Sequence, residues 1–67
     1  MMAHLIFNVW RERLIEYLSA VELERDLGQG QILLITNTTE EDLRELHMYG
    51  WKVSETAYAM IEKVNLR

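Results

Sequence analysis

Apolar residues recur at Leu5, Ile6, Val9, Trp10, Leu14, Tyr17, Leu18 and Val21. Steps of three and four put them on one face of a helix, and Arg11, Glu12, Glu16 and Ser19 fall largely off that face. The pattern predicts a helix over about Ala3 to Leu27, closed by Gly28 in the left-handed position that ends many helices. Within it, Leu5 to Val9 is also compatible with a strand. Gly28-Gln29-Gly30 is then a connector, without the frame of a phosphate-binding loop.

Ile32-Leu33-Leu34-Ile35 is a short apolar run between turn signals, which suits a strand buried on both faces. Thr36-Asn37-Thr38 breaks it, and a helix start follows. Thr38 with Glu41, or Thr39 with Asp42, has capping-box spacing. Glu40, Glu41 and Asp42 sit where the helix dipole favours acids, and Glu40 precedes Arg44 by four residues, the favourable order for an ion pair. Leu43 and Leu46 point inward, and the same spacing allows Tyr49 to join them. Gly50 has the position of a helix stop, with Trp51 after it to close the hydrophobic contact of a Schellman motif. Trp51 to Val53 alternates like a second strand. Beyond it, Ser54 caps a helix with Ala57, Met60, Ile61 and Val64 on one face, or residues 57–65 form a further strand; propensity favours the helix and sheet completion favours the strand.

These elements predict an α+β domain: a long N-terminal helix and a second helix packed on a small sheet in the order α-β-α-β, with the C-terminal segment helix or strand. The alternative is an all-α chain with a helix-turn-helix made by 39–49, the Gly50 turn and a helix from Ser54. The expected core is Trp10, Leu14, Leu18, Val21, Ile32, Leu34, Leu43, Leu46, Val53 and Ile61.

Composition changes this picture in two ways. The 67 residues allow a single domain, 1–67, that buries only about 60% of its unfolded surface. There is no cysteine, so neither disulfides nor thiolate zinc sites reinforce it. An apolar content of 49%, with large Trp, Tyr and Met side chains, then points to an apolar interface, either a homodimer or a partner protein.

Charge and motif content remove several functions. Net charge is −4 and the basic residues are scattered, unlike the basic patch of a nucleic-acid binder. No apolar run approaches the length of a membrane span. Met1 to Trp10 lacks the basic start and cleavage site of a signal peptide, and a cytoplasmic location is expected. His4 and His47 lack the carboxylate spacing of a metal site, and His47 reads as a surface residue favoured by a helix C-terminus. No serine or threonine sits in a nucleophile elbow. A catalytic site, a metal and a cofactor are therefore not expected.

What remains is a small protein-interaction module: an inhibitor, adaptor or regulator of the kind phages also carry, acting by binding another protein. The alternative function is a helix-turn-helix DNA-binding regulator. Candidate contact residues are Met48, Tyr49, Trp51 and Tyr58, since exposed aromatics dominate binding hot spots. A second, electrostatic candidate is Glu22, Glu24 and Asp26, acids placed in the last turns of a helix where the dipole prefers cations.

Overall fold

The computed structural model describes residues 5–65, of which 74% are helical; no strand or sheet is present among them. The α+β expectation is overturned and the all-α alternative holds. The helices are α1 (Phe7–Glu24), α2 (Gln31–Ile35), α3 (Glu40–Met48) and α4 (Val53–Asn65). Helix α1 is the hub: α2, α3 and α4 all pack on it, and α4 also packs on α2. The core is Trp10, Leu14 and Leu18 from α1, Ile32 from α2, Leu43 from α3, and Ala57 and Met60 from α4. Of the other expected core residues, Val21, Leu46, Val53 and Ile61 are partly buried against this cluster.

The correction with the largest structural consequence is at residues 31–35. The apolar run is one helical turn rather than a strand. A strand would need a partner ladder to satisfy its backbone, whereas this turn bonds to itself, with Leu34 N–H donating to Gly30 O (3.3 Å) and Thr36 N–H to Ile32 O (3.0 Å). Its start is held from elsewhere. Gly30 is left-handed (φ 85°) and supplies no capping side chain. Instead the Glu22 carboxylate, at the end of α1, accepts from Gly30 N–H (3.0 Å) and Ile32 N–H (2.8 Å). Helical rather than alternating geometry also explains why Leu34, expected in the core, is 72% exposed while Ile32 is buried. The second expected strand is absent too: Trp51 and Lys52 form the α3–α4 connector and Val53 opens α4.

Helices α1, α2 and α3 end in the same way. Leu27 N–H reaches Glu22 O (2.7 Å) and Asp26 N–H reaches Leu23 O (3.2 Å). Thr38 and Asn37 repeat the pair on Leu33 and Leu34, and Trp51 and Gly50 repeat it on Leu46 and His47. Each is a Schellman motif. The left-handed residue is Asp26 (φ 60°), Asn37 (φ 55°) and Gly50 (φ 86°) in turn. Gly50 was legible, but α1 stops at Asp26 rather than Gly28. An aspartate in this region carries a steric cost that glycine does not. Asp26→Gly also removes an acid from a helix C-terminus. It is expected to stabilise the domain by about 0.5–1.5 kcal/mol, raising Tm by roughly 4–8 °C per kcal/mol. A Tm that stays put or falls in thermal unfolding would contradict this assignment.

At the start of α3, Thr39 and Asp42 form the capping box, with Asp42 N–H on Thr39 Oγ1 (3.1 Å) and Thr39 N–H on Asp42 Oδ2 (3.0 Å). Thr38, the other register, instead has its hydroxyl 2.7 Å from that of Thr36. Ser54 does not cap α4; Glu55 does part of that work by accepting from Lys52 N–H (3.0 Å).

Glu40 does not pair along its own helix. It takes a bidentate bond from Arg11 of α1, with Nη2 at 2.6 Å and Nε at 2.8 and 2.9 Å, while Arg44 lies over the Phe7 ring at 4.3 Å. The Arg11 hydrogen bonds hold the Glu40 carboxyl below its ordinary value of 4.5, helped by the positive charge of Arg44. A lowered folded value means the bridge stabilises above the ordinary glutamate range and is lost as pH falls through the depressed value. Both side chains are substantially exposed, so screening limits the gain to about 0.5–1 kcal/mol. Wild type and Glu40→Gln are expected to differ in urea midpoint at neutral pH and to converge in acid. A difference that persists undiminished in acid would rule out the bridge as its source.

Candidate functional site

Helix α3 packs on α1, and so does α4, which leaves a groove between α3 and α4. Its volume is about 410 Å³. The α3 wall is Asp42, Glu45, Leu46 and Tyr49, and the α4 wall is Thr56, Ala59, Met60 and Lys63. Both walls follow the same spacing, i, i+3, i+4 and i+7, which is a single stripe along each helix. Thr36, Asn37 and Thr38, at the end of α2, and Trp51 also line the groove. Its floor is apolar through Leu46, Ala59 and Met60, and its rim carries Asp42, Glu45 and Lys63.

The Tyr49–Trp51 rim is held by hydrogen bonds to its backbone groups. The Schellman bonds of Gly50 and Trp51 close α3. The indole N–H of Trp10, itself buried, donates to Trp51 O at 2.8 Å and ties the turn to α1. Trp10 stacks on Phe7 (centroids 6.1 Å apart) and meets His47 edge-on at 5.4 Å. His47 is half-buried rather than a surface residue. Its Nε2 lies against Leu5 O; because a carbonyl only accepts, Nε2 carries the proton. The turn is thus fixed while Tyr49 (74% exposed) and Trp51 (38%) present their rings outward.

The structure brings together only part of the predicted contact set. Tyr49 and Trp51 share the groove, and with Gly50 and Glu55 they frame a second, shallower depression. Met48 is exposed at the end of α3 but does not line the groove. Tyr58 is exposed on α4 and also stays out of it: it falls well away from the stripe formed by Thr56, Ala59, Met60 and Lys63.

The acidic set loses Glu22. Glu22 is 2% exposed and both its oxygens are occupied by backbone N–H groups, so it is a structural cap and offers no charge to a partner. Asp26 is exposed and serves as the left-handed residue of the α1 terminus; Glu24 is exposed. Arg25 does not pair with Glu22; its guanidinium donates to Asn65 Oδ1 at 2.5 Å, joining the ends of α1 and α4.

Sequence reasoning missed the groove walls. Asp42, Glu45, Ala59, Met60 and Lys63 acquire a common role only through the placement of α3 beside α4. The available signal was the matching stripe spacing on two consecutive helices. Among the described residues no three His, Asp or Glu side chains converge as metal ligands would, and no helix is long and apolar enough to cross a membrane. His4 lies outside the described residues. No protein-family model matches the chain, and neither characterised proteins nor solved structures yield a match to it.

Proposed function

We propose that this domain is a small protein-interaction module, an inhibitor, adaptor or regulator that acts in the cytoplasm by binding another protein through the α3–α4 groove. The observation that carries the reading is the rim: two large aromatic side chains, Tyr49 and Trp51, stand together beside an apolar floor on a turn pinned by backbone bonds. Aromatic anchors held in place before binding lose little conformational entropy when a partner arrives.

The connection of α3 to α4 through residues 49–52 has the order of a helix-turn-helix, which gives the DNA-binding reading a hearing. Charge opposes it. Across this unit Glu40, Glu41, Asp42, Glu45, Glu55 and Glu62 outnumber Arg44, Lys52 and Lys63. On α4, the helix that would enter the major groove, Glu55 and Glu62 are both exposed. Phosphate contacts supply most non-specific affinity and need the opposite balance.

The test is affinity capture from the native cell lysate, comparing the wild type with Tyr49→Ala and with Tyr58→Ala. Recovery of one stoichiometric protein by the wild type and by Tyr58→Ala, with loss by Tyr49→Ala, is the expected result. Recovery of nucleic acid alone, or equal recovery by Tyr49→Ala, refutes the reading. Sedimentation of the purified chain separates partner binding from use of the same rim in a homodimer.

A further inference from the structure

We infer that the occupant of the α3–α4 groove is a short cationic amphipathic helix of the partner protein; this rests on the protein-binding reading above and narrows it. Backbone chemistry favours a helix in the groove. Both walls are helices whose N–H and C=O groups are satisfied along their own axes, so the groove offers no ladder to an extended strand. A segment entering it must satisfy its own backbone, which a helix does.

The shape of the groove favours it too. Stripes at i, i+3, i+4 and i+7 on two helices border the same groove, and ridges of a third helix pack into a seat of this kind. Each stripe rises about 10 Å, so the occupant contributes about two turns. Ala59 keeps the centre of the α4 wall low, and Leu46 and Met60 give the apolar floor against which leucine-like side chains are buried.

Charge along the α3 wall favours a cationic occupant. Among the described residues, the α3 wall carries Asp42 and Glu45 with no base in its lining, and Lys63 is the single cation lining the opposite wall. Glu41 and Glu55 are also exposed, as are Arg44 and Lys52, and Arg44 is drawn over the Phe7 ring. Lys or Arg on the flank facing α3 complements this arrangement, and a like-charged acidic helix is repelled.

The experiment uses the full chain and three labelled peptides of about four helical turns. One has Leu at helical spacing with Lys elsewhere, one replaces each Lys by Glu, and one keeps the Leu/Lys composition in scrambled order. Binding is read by fluorescence anisotropy and located by amide chemical-shift mapping. The expected result is that the ordered Leu/Lys peptide binds about tenfold or more tighter than either control. Its shifts should centre on Leu46, Trp51 and Ala59. Glu45→Lys, at an exposed position, should weaken it by a similar factor, and Ala59→Gln should block the seat.

Equal binding by the scrambled peptide, equal or tighter binding by the Glu peptide, or shifts centred elsewhere overturns the inference. So does failure of all three peptides to bind. If in any of those cases Tyr49→Ala still loses the captured protein, the groove reading survives and only the nature of its occupant is wrong. If Tyr49→Ala also captures normally, both fail.

Discussion

Trp10→Ala is expected to leave the chain unfolded under conditions where the wild type is folded. Trp10 is 1% exposed and makes three contacts at once: it stacks on Phe7 of its own helix, meets His47 of α3 edge-on, and holds the α3–α4 turn through Trp51 O. Truncating a buried tryptophan to alanine costs about 3–5 kcal/mol. Leaving the Trp51 carbonyl without its donor adds about 1 kcal/mol. A domain of this length has a total stability of roughly 3–10 kcal/mol, so the loss is comparable with the whole. Trp10→Phe separates the two contributions. It keeps most of the ring but removes the N–H, and should remain folded with faster amide exchange in the 49–53 turn. Far-UV circular dichroism and urea unfolding check both variants. A folded Trp10→Ala with a midpoint near that of the wild type would show that the core is not centred on this residue.

The second large effect is at Glu22. Glu22→Leu preserves much of the volume but removes both acceptors, orphaning the Gly30 and Ile32 N–H groups at the start of α2. Hydrogen bonds to a charged group contribute about 1.5–3 kcal/mol each, and a buried unsatisfied donor costs a similar amount. A total loss of about 3–5 kcal/mol follows, allowing for partial relaxation of the loop. In Tm this is a fall of more than 10 °C for a domain of this size, at roughly 4–8 °C per kcal/mol. Glu22→Gln keeps one acceptor oxygen and turns a donor amine toward the other N–H, so it should fall between the wild type and Glu22→Leu. Glu24→Leu, at an exposed position of the same helical turn, is the control and should change Tm little. Equal effects of the Glu22 and Glu24 substitutions in thermal unfolding would exclude the capping role.

These two residues also mark where local reading of the chain succeeds and fails. Helices α1 and α3 were legible because their information is local: apolar spacing, a capping box at Thr39 and Asp42, and a glycine stop followed by Trp51. The run Ile32–Ile35 was not. Four apolar residues in a row carry no period, and what selects the helical turn is a carboxylate ten residues upstream. For the same reason Glu22 looked like one of three solvated acids when it is the buried cap of the next helix. The stop of α1 was misplaced because Gly28 is the more visible punctuation, whereas the backbone turns at Asp26 through a side chain that tolerates the left-handed region. The aromatic rim at Tyr49 and Trp51 was legible from composition and position. The groove it borders was not, because its walls come from two helices whose relation is set by their common packing on α1. Tyr58 is an exposed aromatic on a face of α4 that points away from that groove.

We propose recognition through the α3–α4 groove. The most direct measurement of it is hydroxyl-radical footprinting of the chain alone and in complex with the protein it captures. Protection of Tyr49, Trp51 and Leu46 on complex formation, with Tyr17 and Tyr58 remaining reactive, is the predicted result. Protection of Tyr17 or Tyr58 with Tyr49 and Trp51 unchanged would place the interface on another face and contradict the account.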